Sequence, residues 1–177
     1  MGLFFFQIFI IKKVMNIEIS KYVSYDEVVV SNTALRKNID NTPNECQLEK
    51  IKVLCKKVFD PLREWVGGPV KVNSVFRSKK LNSAIGGSRS SQHMALKGAA
   101  IDIDDNYGHK TNLEMFHYIK DNLEFDQLIA EFPNNGEPRW LHVSYNEGVN
   151  RNRILIATKI NNKTTYLLYK GNENLLG

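Results

Sequence analysis

The order of elements legible in this chain predicts an α+β fold with a largely antiparallel sheet. Helical and strand-like periodicities follow one another in mixed rather than strictly alternating order, which disfavours a parallel βαβ arrangement. The segments Arg153–Ile160 and Thr165–Tyr169 face each other across Asn161-Asn162-Lys163, a closing hairpin. The chain of 177 residues, 42% hydrophobic and 24% charged, is close to the average soluble globular protein and has the length of one ordinary domain. Nine Phe and seven Tyr supply bulk for a core, and there is no internal repeat.

Taken in order, residues 1–14 are read as an apolar N-terminal extension and residues 15–177 as a single domain. The run Leu3–Ile11, LFFFQIFII, is too short for a membrane span, which needs about 20 residues. It has no leading basic segment or small-residue cleavage site, so it is unlike a signal peptide, and Met15 is a candidate start. Ile17–Val30 is expected to be extended or turn. Thr42, Pro43 and Glu45 form a helix start, with Thr42 as cap and Glu45 reaching back. Leu48, Ile51, Leu54, Val58, Leu62 and Trp65 then recur at helical spacing, with a kink expected at Pro61 and an end at Gly67-Gly68-Pro69. Val70–Phe76 alternates as a strand, with Val75 on the face of Lys71 and Asn73. Ser78–Ile85 is a short helix stopped by Gly86-Gly87, and Ala99–Asp104 a strand. Thr111 with Glu114 makes a capping box for a helix through Leu113, Phe116 and Ile119. Asp126–Glu131 and Trp140–Tyr145 are strand-like.

The net charge is +5 and the pI about 9.1, which favours approach to polyanions without choosing among them. The basic clusters are only pairs such as Lys12-Lys13 and Lys79-Lys80, and no nucleic-acid motif accompanies them, so a solvated basic surface is the preferred reading. Cys46 and Cys55 lie nine apart on one predicted helix and point to opposite sides of it. A disulfide or CxxC-type metal site is excluded by that placement, and both are expected to be reduced and half-buried.

Three segments concentrate polar residues capable of chemistry: NSVFRS ending at Ser78, GGSRSSQHMALKGAAIDIDD ending at Asp105, and DQLIAEFPNNGEPRWLHVSY ending at Tyr145. His93 precedes a glycine-containing turn into the strand that carries Asp102, and His142 sits inside another strand. Two imidazoles and a carboxylate are a suitable zinc set with one position left open, as a catalytic site requires. Glu131 could take a proton from an attacking water, and Arg77 could stabilise an oxyanion or hold a carboxylate. Each also has an ordinary structural reading: a packed histidine, a solvent-facing Asp102, a surface Arg77, a loop-capping Glu131. Spacing alone favours those readings.

The combination of motifs resembles the M15 metallopeptidases, in particular the M15A C-terminal-type branch of D-Ala-D-Ala carboxypeptidases and phage endolysins. The residues that carry the resemblance are Ser74-Val75-Phe76-Arg77-Ser78, Ser91-Gln92-His93, Gly98-Ala99-Ala100-Ile101-Asp102 and Trp140-Leu141-His142, with Asn82 and Gly86-Gly87 in family positions. The likeness spans about Asn16 to Tyr145. It implies the hedgehog/DD-peptidase fold, with His93, Asp102 and His142 as Zn²⁺ ligands, Arg77 on the substrate, Ser91 lining the pocket and Glu131 as general base. Eight residues separate His93 from Asp102, two more than the family pattern. The Gly98-x-Ala100-x-Asp102 match puts the surplus in the turn and keeps Asp102 as ligand, with Asp104 the alternative on the same strand face. Three residues before the last histidine, where many relatives carry an acid, this chain has Arg139, which cannot act as a base. That leaves Glu131 or Glu137.

The resemblance implies a zinc metallopeptidase hydrolysing peptide bonds of peptidoglycan stem peptides, as a D-Ala-D-Ala carboxypeptidase or an L-Ala-D-Glu-type endopeptidase. Such a protein would be made in the cytoplasm and act at the cell wall of a bacterium, whether encoded by phage or host, with neither nucleic acid nor a stable membrane span involved. The alternative is a non-catalytic, zinc-stabilised wall-binding or virion module.

Overall fold

A computed structural model describes residues 17–171; the apolar run Leu3–Ile11 and Met15 lie outside the described residues. Two short helices come first, α1 (Tyr25–Val29) and α2 (Asn32–Lys37). The first corrects the expectation of extended structure over Ile17–Val30. Ser24 accepts from the Glu27 backbone N–H while Glu27 returns to the Ser24 backbone N–H, a complete capping box that nucleates a helix despite its β-branched residues. Helix α3 (Glu45–Leu54) begins two residues later than expected. Its cap is Asn44 with Gln47, leaving Thr42 and Pro43 ahead of the helix.

The kink expected at Pro61 is spread over a π-helical segment, Cys55–Phe59, that leads into α4 (Asp60–Val66). Pro61 then falls in the first turn of α4, just after the Asp60 N–H reaches back to the Cys55 carbonyl across the wider π turn. Gly67 closes α4 in the left-handed region, at φ 72°. Cys46 is exposed and Cys55 fully buried, both unpaired, so the two do point apart but neither is half-buried. Burial pushes the Cys55 thiol up to about 12.

The remaining elements are β1 (Lys71–Ser74), α5 (Lys79–Ala84, capped by Ser78), a 3₁₀ turn (Gln92–Met94), β2 (Ala99–Asp104), α6 (Asn112–Asn122), β3 (Gln127–Glu131), β4 (Trp140–Tyr145), β5 (Arg153–Ile160) and β6 (Lys163–Leu168). The Thr111–Glu114 capping box of α6 is present as expected. The expected strand through Phe76 stops at Ser74. An irregularity between Val72 and Ser74 shifts the register with β2, the pairing finishes at Ser74 opposite Asp102, and Val75, beyond the strand, is buried.

The strands form one sheet in the order β1-β2-β4-β3-β5-β6. Every neighbouring pair is antiparallel except β3 and β5, so the fold is α+β with a mostly antiparallel sheet. Alternation along the strands gives the sheet two different faces. Ile101, Ile103, Leu128, Ala130, Leu141, Val143 and Ile156 join the core with Ile51, Leu54, Val58, Leu62, Phe116 and Ile119 from the helices. Each such fully buried side chain contributes about 1.5–3 kcal/mol. The opposite face carries Asp102, His142, Ile129 and Leu155, which the register places in one row across four strands. No helix among the described residues is long and apolar enough to cross a membrane.

Phe116 is fully buried where α6 meets the sheet. Phe116→Ala should lower the unfolding free energy by about 3–5 kcal/mol, read as a lower urea midpoint; a change below about 1 kcal/mol would show that α6 is not part of the cooperative core.

Candidate metal centre

The register of β2 with β4 sets Asp102 directly opposite His142, so their side chains project from adjacent strands on the same face. His93 reaches them from a loop held at several points. The Arg77 backbone N–H donates to the His93 carbonyl at 2.9 Å, and Ala95 turns the chain back at φ 51°. Gly98 then passes so close to β4 that a Cβ there would sit 2.4 Å from the Tyr145 carbonyl oxygen, so only glycine allows this approach.

Three atoms converge. His93 Nε2 lies 3.2 Å from Asp102 Oδ1 and 3.2 Å from His142 Nδ1, and His142 Nδ1 lies 2.9 Å from Asp102 Oδ1. This is the group among the described residues that could hold a metal ion. His93 Nδ1 donates to the Val75 carbonyl at 2.7 Å, which leaves Nε2 of the neutral ring with a lone pair. Burial lowers the His93 pKa and keeps the ring neutral. A lone pair and a carboxylate oxygen therefore face each other across 3.2 Å, an arrangement that calls for a cation between them. Tetrahedral zinc with ligand bonds of about 2.0–2.1 Å separates its ligand atoms by about 3.3 Å, so the donor set fits zinc in both chemistry and spacing.

Arg77 completes the Asp102 environment. Its Nη2 donates to Asp102 Oδ2 at 2.6 Å and its Nε to Ser74 Oγ at 3.1 Å. Asp102 thus presents Oδ1 to the imidazoles and Oδ2 to the guanidinium. Burial opposes its charge, but the neighbouring side chains, the hydrogen bond to His142 among them, outweigh that and hold its carboxyl well below the usual range.

Glu131 closes β3, two register pairs beyond the row of Asp102 and His142, on the same face and opposite Trp140. It is 8% exposed, and burial pushes its carboxyl up to about 7, with His142 working against the rise and Asp102 adding to it. The next residue, Phe132, sits at φ 47°, a sparsely populated conformation for a bulky side chain. That turn lets the chain leave the strand just after Glu131, and the Phe132 ring packs 5.4 Å from Trp140.

The other candidates separate clearly. Glu137 Oε1 accepts from the Leu113 backbone N–H at 2.8 Å, so this carboxylate caps α6. Asp104 accepts from Asn112 and from the Asp105 backbone and stands apart from the histidines. Arg139 is exposed. Arg77, Ser91, Glu131 and the three converging residues all line one open cleft of about 1110 Å³.

Two features of the cleft are not evident from the sequence motifs. Tyr166 lines it from β6, level with Ala157 and hence in the row of Glu131; only the register reveals this. Asp126, 2% exposed, accepts from Gln92 Nε2 at 2.9 Å and from Arg151 Nε at 2.9 Å. It ties the turn that carries His93 to the loop before β5. A buried acid at a strand start, next to a Gln neighbouring the first His, is a signal visible only in retrospect.

Residues 21–144 match the model of the family described as Peptidase M15. That stretch includes every residue of the converging group, together with Arg77, Ser91 and Glu131. No curated protein matches the chain.

Two solution results are expected. Zinc at 100 times its dissociation constant should add about 2.7 kcal/mol to stability, seen as a higher melting temperature. Asp102→Asn and His142→Ala should abolish that gain, and a full gain in both would place the metal elsewhere. In the metal-free protein, Glu131 rises from its ordinary 4.5 to about 7. The stability tied to its proton is complete below 4.5 and is lost as pH climbs through 7. Glu131→Gln should remove that loss, of the order of 2–3 kcal/mol, in urea titrations across this range; an identical pH slope in both proteins would contradict the buried environment.

Proposed function

The chain belongs to the peptidase M15 family, and from that premise we propose that it is a zinc metallopeptidase of the hedgehog/DD-peptidase fold that cleaves peptide bonds in peptidoglycan stem peptides at the cell wall. The observation that carries this reading is the convergence of His93 Nε2, Asp102 Oδ1 and His142 Nδ1 in a cleft, with the buried carboxyl of Glu131 two register pairs away on the same face.

When bound, zinc would supply Lewis acidity and a water whose pKa falls toward about 7. His93, Asp102 and His142 would hold it. Arg77 fixes the Asp102 carboxylate through Oδ2, and the N–H groups of its Nη1 remain for a substrate carbonyl or carboxylate at the cleft wall. Ser91, at the head of the 3₁₀ turn, borders the same space. Glu131 is the proton carrier. Its carboxylate takes a proton from the attacking water as the new C–O bond forms, then delivers it to the amide nitrogen as the C–N bond breaks. The remaining water proton passes from the new carboxylic acid to the amine, so the products are a carboxylate and an ammonium, and Glu131 ends ionised as it began. Burial, which raises this carboxyl in the metal-free protein, favours its holding the proton between the two halves of that exchange. Glu137, engaged at the N-terminus of α6, is excluded from this role by its position.

Digestion of peptidoglycan by the zinc-loaded protein, with and without chelator, tests the assignment by mass spectrometry of the products. Loss of one alanine identifies a carboxypeptidase, and release of stem peptides from glycan an endopeptidase. Glu131→Gln should reduce kcat by about 10²–10⁴-fold with zinc content unchanged, whereas His142→Ala should lose zinc and activity together. Full activity in Glu131→Gln would remove Glu131 from the mechanism. Silence of the zinc-loaded wild type across several wall types would favour a non-catalytic wall-binding module.

A further inference from the structure

The charges lining the cleft are unevenly matched. Arg77 is held by Asp102 and Arg151 by Asp126. Three more cations, Arg89, Lys97 and Arg153, line the same cleft, are exposed, and form no ion pair with an acidic group among the described residues. Glu131, the one cleft carboxyl outside those two pairs, is raised toward neutrality by burial. Single exposed cations on a basic protein need no explanation. These three come from separate stretches of chain, two on the loop carrying His93 and one at the start of β5, yet border a single concavity.

Their position relative to the reacting centre follows from the register. Arg153 is level with Gln127 on β3, and His142 with Ile129. Arg153 therefore lies two strands across and two residues along from His142, about 12 Å between backbones at sheet spacings. Glu131 lies on the opposite side of the His142 row, so the cleft has an aromatic end at Trp140 and Tyr166 and a cationic end at Arg153. An extended peptide advances about 3.3–3.6 Å per residue. Allowing for the length of the arginine side chain, a group bound at the cationic end lies about two to three residues from the bond over His142.

We propose that Arg89, Lys97 and Arg153 form a carboxylate-reading subsite, so that the preferred substrate is a peptide bearing a free carboxylate about two to three residues from the cleaved bond. This rests on the peptidase reading above and narrows it to acidic peptides. Arg153 supplies the planar fork that matches a carboxylate, and Arg89 and Lys97 raise the local potential that attracts it.

The test uses a stem pentapeptide with its glutamyl carboxylate free and the same peptide with that carboxylate amidated. Calorimetric binding and turnover are measured separately on the zinc-loaded protein. The free acid should bind about tenfold more tightly, the scale of one charge-assisted hydrogen bond, and the preference should shrink with added salt. Arg153→Gln should reduce it to within about twofold, and the triple variant Arg89→Gln, Lys97→Gln, Arg153→Gln should erase it. A control with the same change in net charge, Lys71→Gln, Lys79→Gln, Lys80→Gln, alters exposed residues outside the cleft and should keep the preference intact. Equal binding of the two peptides by wild type, or a preference that survives the triple variant or vanishes in the control, overturns the subsite. Carboxylate-dependent binding without turnover leaves the subsite standing and overturns the peptidase reading alone.

Discussion

Asp102 is the group on which the arrangement of this molecule turns. A carboxylate at the buried floor of the cleft must be compensated, because an unpaired buried charge costs several kcal/mol. The cluster around it draws on four parts of the chain. Arg77 comes from beyond the end of β1, His93 from a loop, His142 from β4, and Asp102 itself from the middle of β2. Ser74 fixes the guanidinium that fixes the carboxylate. Each partner has further work in the backbone: Arg77 donates its N–H to the His93 carbonyl, so the clamp and the loop that supplies a ligand atom are one unit.

The sheet separates stability from chemistry by its two faces. The helix-covered face buries a continuous aliphatic and aromatic core. The open face carries a small apolar cluster of Ile129, Leu155 and Ala157, flanked by Phe132, with Trp140 and Tyr166 in the row of Glu131, and presents polar and charged groups beside them. A strand-by-strand alternation enforces this division, since every residue two positions along returns to the same side. The π-helical segment before α4 and the early stop of β1 are accommodated on the core side or at its edge, leaving the row Asp102, His142, Ile129, Leu155 undisturbed.

Much of this was legible in the residues themselves. The boundaries of Ala99–Asp104 and Trp140–Tyr145 match the strands residue for residue, because apolar residues alternating with polar ones between Gly98 and Asp105, and between Arg139 and Asn146, leave little ambiguity. The capping box at Thr111 was readable for the same reason: its two residues interact locally. Less local effects escaped. Ser24 and Glu27 form an equally good box, but it is followed by a short β-branched stretch that disguises a helix of five residues. Cap choice between Thr42 and Asn44 depends on where the helix axis must point, which is a tertiary matter. The candidate metal group could be nominated from the order of motifs, but not distinguished on spacing alone from packed histidines. What distinguishes it is the pairing of Asp102 with His142 across a ladder, a contact between residues forty positions apart. The same holds for Tyr166 and Arg153, whose membership of the cleft is a property of register.

The orientation of His93 depends on an acceptor that belongs to the main chain. Nδ1 is satisfied by the Val75 main-chain carbonyl rather than by a carboxylate or amide side chain. A side-chain acceptor can be deleted by one codon change, and the tautomer would then be free to drift. A peptide carbonyl is present whatever residue occupies the position, so this support cannot be lost by substitution at Val75, only by moving the backbone after β1. The ring is therefore buffered against genetic change at its second nitrogen, and the vulnerability is transferred to the packing that holds the segment from Ser74 to Arg77 in place.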